Sequence, residues 1–185
     1  MSIHEVILDH VSWGRLARLM PTIPGDPAVK GRRLFLSKDV MDLVDTYRTK
    51  AAEARRCEAF RQELDDFVKG GQVGVCLRPF EANEDAKLGL LHPPEDGIWD
   101  IRSVNPSPGL RVVGAFAEKN SFIGLEWAPR SKEFLGRQPL GDRNSREWRD
   151  IIGNAKAHWR RLFSSWEPRT GDKLDEYLST NCHLV

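Results

Sequence analysis

Apolar residues recur at helical spacing near the start of the chain, where Ile3, Val6, Ile7, His10, Val11, Leu16, Leu19 and Met20 predict a helix within residues 3–20. The segment PTIPGDPAVKG (21–31), with three prolines and two glycines, interrupts any regular element and reads as a linker. RRLFLS (32–37) is a short strand, and Ser37 is placed to cap a helix beginning at Lys38. From Lys38 the apolar positions 40, 43, 44, 47, 51, 54, 57, 60, 64, 67 and 68 keep a helical period until Gly70 and Gly71 end it. That stretch is either one long helix or two that fold back near RTKAAEARR (48–56), where large apolar residues vanish.

Residues 72–97 read as a weak strand and a long, turn-rich connection. Three clearer strands come next, at 98–104, 110–117 and 122–128. NPSPG (105–109) joins the first two, and a tight turn at Lys119–Asn120 joins the others. A last helix, about 145–164, carries Trp148, Ile152, Ala155, Trp159, Leu162, Phe163 and Trp166 on one stripe, with Arg149, Lys156 and Arg160 elsewhere on its surface. These elements predict an α+β chain, an antiparallel sheet packed on helices. An N-terminal helical extension with its linker (1–31) would precede a single domain (32–185) that includes the C-terminal helix.

Alternation along the three strands sorts their charges. A two-residue turn at Lys119–Asn120 pairs Ala117 with Phe122, Ala115 with Gly124 and Val113 with Glu126. Val112, Phe116, Ile123, Leu125 and Trp127 then share one face. The other face collects Arg111, Val113, Ala115, Phe122, Gly124 and Glu126, together with Asp100 and Arg102 of the preceding strand. Four charges around small residues form either cross-strand salt bridges on a solvated face or a shallow site. As a site, two arginines would hold a phosphate by forked hydrogen bonds, and a carboxylate would serve as general base.

Charge sharpens this picture. The net charge is only +1, yet residues 97–169 carry thirteen basic against eight acidic side chains, a surplus suited to an anionic partner such as nucleic acid. No apolar run reaches the ~18–20 residues of a membrane span, and the N-terminus mixes both charge signs among its apolar positions, so neither a membrane partner nor a signal peptide is expected. Cys57, Cys76 and Cys182 lack metal-type spacing and point to reduced thiols in a cytoplasm. The five histidines share no ligand spacing, and no P-loop or dinucleotide fingerprint occurs, so neither a metal nor a cofactor is expected.

The stretch GIWDIRSVNPSPGLRVVGAFAEKNSFIGLEWAPRSKEF (97–134) resembles the central sheet of the RelE/ParE toxin superfamily, which includes the HigB-type toxins. The likeness lies in a strand ending in Arg, a short loop, an Arg opening a long apolar hairpin, and basic residues after the last strand. With RRLFLS and the long helical segment it covers about residues 33–135. It implies a RelE-like sheet and, in toxin–antitoxin fashion, a bacterial or phage ribonuclease or translation inhibitor acting on RNA at the ribosome. Cleavage would be metal-independent attack of a ribose 2′-hydroxyl on the adjacent phosphate. Arg102, Arg111 and Arg130 would stabilise the phosphate, Asp100 or Glu126 would act as base, and Lys132, Arg149, Lys156 and Arg160 would add substrate contacts. The same resemblance admits a non-enzymatic protein that binds a partner such as a topoisomerase or an antitoxin-like segment, and a phage or mobile-element protein without RelE activity. The chain departs from the family pattern in having Asp100 where some members carry lysine and Phe134 where Tyr or His follows the last strand. It is also near neutral and about twice the usual length.

Overall fold

The computed structural model describes residues 1–25, 31–45, 51–79, 85–103, 106 and 109–185, with no side-chain description at positions 51 and 52. The first helix, α1 (Ile3–Ser12), is shorter than its apolar spacing suggests. Ser2 caps it, exchanging hydrogen bonds with Glu5. Gly14, in the left-handed region at φ +68°, turns the chain out of the helix. Leu16–Arg18 then forms a strand, β1, where helix was expected. The middle of the expected linker, 26–30, lies outside the described residues.

Strand β2 (Arg33–Ser37) leads directly into α2 (Lys38–Asp45), whose start Ser37 caps through Val40 N–H at 3.4 Å. A second helix, α3 (Ala51–Val68), succeeds it; the chain between them, 46–50, lies outside the described residues. Strands β3 (Val73–Cys76), β4 (Leu88–Leu90), β5 (Ile98–Arg102), β6 (Leu110–Glu118) and β7 (Ser121–Pro129) come next, then α4 (Arg146–Leu162) and β8 (Cys182–Leu184). Part of the NPSPG loop lies outside the described residues. No described helix is long and apolar enough to cross a membrane.

The eight strands of the described residues form one sheet in the order β1-β2-β7-β6-β5-β4-β3-β8. The fold is α+β as expected, but the sheet is mixed rather than antiparallel. The β4-β5-β6-β7 core is antiparallel, whereas β2 runs parallel to β7, β3 to β4, and β8 to β3. Sequence-adjacent strands joined by short turns must run antiparallel, while β2 reaches β7 only after the chain has passed through helices. Local alternation carries no information on such a pairing.

Both sheet faces are covered. Helices α2 and α3 pack Val40, Leu43, Phe60 and Leu64 against Trp99, Val112, Phe116, Phe122 and Trp127. On the other side α1 and α4 bring Ile7, Trp148, Ile151, Ala155, Trp159 and Phe163 against Ile98, Val113, Ala115, Ile123 and Leu125. The α4 stripe therefore runs through Ile151, with Ile152 only half-buried and Trp166 exposed beyond the helix.

The β6–β7 hairpin turns at Lys119–Asn120 as predicted, and Val113 opposes Glu126 as predicted. Between those points the register is shifted by one, because Ala117 bulges from β6 and Leu125 from β7. The two bulges cancel, so only the middle of the hairpin is displaced. Phe122 thereby opposes Phe116 on the α2/α3 face, and Ile123 opposes Ala115 on the α1/α4 face. Both residues, and Leu125, sit on the side opposite to the one their alternation implied. Glycines 114 and 124, which oppose each other, allow this approach: a Cβ on Gly114 would meet the Ile123 carbonyl at 1.9 Å.

Candidate functional site: an arginine cluster at the end of the sheet

Register places Asp100 opposite Val113 and Arg102 opposite Arg111, while Arg111 opposes Ala128 and Val113 opposes Glu126. Residues directly opposed in an antiparallel pair share a face. Asp100, Arg102, Arg111 and Glu126 therefore lie on one side of the sheet, with Trp127 on the other, as alternation implied. That side is not a solvated sheet face. It is the α1/α4 side, and Asp100 and Arg102 are only 1% and 5% exposed.

Asp100 holds the cluster together. Arg102 Nε donates to both of its oxygens at 3.0 Å, and Arg111 Nε pairs with Oδ2 at 3.2 Å. Arg111 also donates from Nη1 to the Ser103 carbonyl at 3.0 Å and to the Leu110 carbonyl at 3.3 Å. The Arg102 guanidinium lies across Gly89 of β4, where a Cβ would sit 1.9 Å from Nη2. Gly89 opposes Asp100, so this strand leaves the room that a buried arginine needs.

Two further arginines reach the same place from outside the strands. Arg130 comes directly after β7, and its guanidinium donates to the Gly141 carbonyl. The Leu140 N–H donates to the Pro129 carbonyl at 3.0 Å, strapping the 140–145 loop to the end of β7. Ser145 caps α4 through Trp148 N–H and donates its hydroxyl to Leu140 O, which fixes the loop from its other end. Arg143 sits inside this strap, half-buried and within electrostatic range of Arg102, Asp100, Cys76 and Arg130.

Among the described residues, four guanidinium groups thus gather near the Asp100 carboxylate, which pairs with Arg102 and Arg111. Burial lowers the Arg111 pKa to about 10; Asp100 opposes that shift, and Arg102, Arg130 and Arg143 reinforce it. Arg143 is lowered for the same reason, burial first and then the positive charge of Arg102. Both remain protonated at neutral pH, so the site carries surplus positive charge in a partly desolvated place. An anion with several oxygens is the complement to such an arrangement.

The remaining sequence candidates do not all converge. Glu126 is engaged by His158 of α4, Nδ1 to Oε1 at 3.1 Å, each side chain about one-fifth exposed. Its Cα is a diagonal neighbour of Arg111, a separation of about 7–8 Å. Lys132 is exposed in the segment after β7, and Arg149 donates to the Asn144 carbonyl beside the strap at 2.6 Å. Lys156 and Arg160 lie on the later turns of α4, where they line a separate cavity of about 270 Å³ with Asp96, Trp159 and Glu167. Lys156 is already paired there with Asp96 at 2.7 Å.

Sequence reasoning missed Arg143, Gly89 and the His158–Glu126 contact. For Arg143 the only sequence signal is its position two residues before the helix-capping Ser145, in a polar loop. No protein-family model, curated protein or solved structure matches this chain.

Proposed function

We propose that this chain binds the phosphodiester backbone of RNA at the arginine cluster and acts on it in the RelE manner. The observation that carries the reading is the gathering, among the described residues, of Arg102, Arg111, Arg130 and Arg143 about the Asp100 pair. Phosphate oxygens supply the acceptors that a single carboxylate lacks, and transition-state charge on phosphorus would meet preorganised guanidinium donors.

In the cleavage step this reading assigns, the ribose 2′-oxygen attacks the adjacent phosphorus and the bond from phosphorus to the 5′-oxygen breaks. The products are a 2′,3′-cyclic phosphate and a 5′-hydroxyl, the latter protonated by water. Asp100 is unsuited to accept the 2′-proton, since both its oxygens are held by arginines. It is a positioning residue. Glu126, partly exposed on the same face, is the better base. A second reading rests on the same engagement of Asp100 and Glu126: a non-enzymatic scaffold whose arginines grip an acidic segment of a protein partner, antitoxin-like or otherwise.

The test measures binding of a fluorescently labelled single-stranded RNA 12-mer, its salt dependence, and the appearance of cyclic-phosphate ends. Arg111→Ala and Arg143→Gln should each weaken binding at least tenfold. Arg143→Gln, outside the buried ion pair, should melt close to the parent, whereas Arg111→Ala should melt lower because it breaks the pair with Asp100. The slope of log affinity on log salt should flatten by about 0.7 for each phosphate that the variant no longer neutralises. RNA affinity unchanged in both variants overturns the reading. RNA binding without cyclic-phosphate ends keeps the phosphate-binding role and removes the cleavage step, and affinity for an acidic peptide but not for the 12-mer selects the second reading.

A further inference from the structure

Of the six tryptophans, Trp99, Trp127, Trp148 and Trp159 are buried, whereas Trp13 is 61% and Trp166 38% exposed. These two belong to one place, the contact between the end of α1 and the end of α4. There His10 Nε2 meets the Leu162 carbonyl at 2.6 Å, and the His10 ring stands edge-on to both Trp13, at 5.6 Å, and Phe163, at 5.4 Å. Trp166 is held from the same side by its backbone. Its N–H donates to Phe163 O at 2.9 Å, and its carbonyl accepts from the Trp159 indole at 2.8 Å. Both exposed tryptophans are therefore anchored by main chain or by neighbouring rings.

One cation stacks on Trp13, and two more lie on the last turn of α4. The Arg15 guanidinium lies 4.9 Å from the centre of the Trp13 ring system, and Arg160 and Arg161 are exposed on the last turn of α4. The carboxylates nearby are Asp9, half-buried on α1, Glu167, exposed, and Glu95 and Asp96, which share a cavity with Arg160 and Glu167, Asp96 being paired there with Lys156. Arg15 covers part of Trp13, and the aromatic surface that stays exposed on both rings is free for a partner to stack on. Neighbouring arginines select a partner that carries π-faces and negative charge together.

We infer that Trp13 and Trp166, with Arg15, Arg160 and Arg161, form a stacking platform for the unpaired bases of single-stranded RNA, separate from the arginine cluster. This inference rests on the reading of the chain as an RNA-binding protein and deepens it. The cluster lies where α4 begins and the platform where it ends, and at 1.5 Å per residue the 17-residue helix separates them by roughly 25 Å. A strand long enough to span that distance engages both; a dinucleotide reaches one.

The test uses the full chain, a labelled single-stranded oligouridine 12-mer, its hybrid duplex with oligoadenylate, and a dinucleotide. Trp13→Ala/Trp166→Ala should weaken binding of the 12-mer roughly tenfold to a hundredfold, and should leave the duplex nearly unaffected, because paired bases offer no free face. The 12-mer should quench tryptophan fluorescence in the parent and not in the double variant, whose remaining indoles are buried. Trp13→Phe/Trp166→Phe keeps a ring at each site and should recover most of the affinity, which guards against a folding defect. Unchanged 12-mer affinity in the alanine variant, an equal loss toward the duplex, or failure of the phenylalanine variant to recover overturns the platform. Capture of anionic lipid vesicles but not the 12-mer also overturns it. If Arg111→Ala abolishes binding while the tryptophan variant does not, the platform falls and the cluster stands. The reverse result keeps the platform and removes the cluster, and a parent that binds no RNA removes both.

Discussion

Replacing Asp100 by Asn keeps the side-chain shape and deletes the negative charge that Arg102 and Arg111 hold. Arg102 then loses the carboxylate that receives its Nε at 3.0 Å, and Arg111 loses its ion pair at 3.2 Å. The Arg102 side chain is 6% exposed and that of Arg111 13%, so water compensates poorly for either. Removing one member of a buried ion pair costs about 3–5 kcal/mol. In a chain of this size each kcal/mol lowers the melting temperature by about 2–4 °C, so a fall of about 6–20 °C is expected. The assay is thermal unfolding followed by circular dichroism, in chloride and then in phosphate buffer at equal ionic strength. Because the variant leaves the Arg102 and Arg111 guanidinium groups without the Asp100 charge, phosphate should restore more stability to it than to the parent. A melting point within about 2 °C of the parent would refute the reasoning, since the arginines would then not need Asp100.

Gly89→Ala places a methyl group 1.9 Å from Arg102 Nη2 and 2.7 Å from Asp100 Oδ1. It should cost about 1–3 kcal/mol by overpacking and reduce RNA affinity as the guanidinium is displaced; a variant that melts and binds like the parent contradicts the packing described. Trp159→Ala removes a side chain buried between α4 and the sheet, together with its hydrogen bond to Trp166 O, and should cost about 3–5 kcal/mol. An unaltered melt would show that α4 contributes little to the fold. Burial pushes the Cys57 thiol from 9.0 up to about 11, so between those values the folded chain keeps a proton that the unfolded chain has lost. Stability should therefore fall as pH rises from 9. Arg111, lowered to about 10, acts in the opposite sense above that pH, which leaves pH 9–10 as the window to compare. Denaturant titrations of Cys57→Ala should show a flatter pH dependence there, and an identical slope would reject the assignment.

The strands at 98–102 and 110–129, their turn at Lys119–Asn120, and the shared side of Asp100, Arg102, Arg111 and Glu126 were legible in the chain itself. Side chains alternate along a strand, and a two-residue turn leaves one pairing to begin from. The α4 helix was legible for the same kind of reason, since its aromatic stripe follows a 3.6-residue period over 17 residues. Only the tertiary structure decided the rest. Glycines 114 and 124 face each other across two strands, and the paired bulges they permit move Phe122 and Ile123 to sides that alternation denies them. The parallel placement of β2 beside β7, and of the short strand β8 beside β3, depends on partners far away in sequence. Most consequential is what covers the charged side of the sheet. Nothing local to IWDIR states that helices close over it, that Gly89 opens space for a guanidinium, or that a strap after β7 delivers Arg143. Alternation determines which way a charge points. Burial, and with it the need of four arginines for an anion, depends on which remote segments pack above.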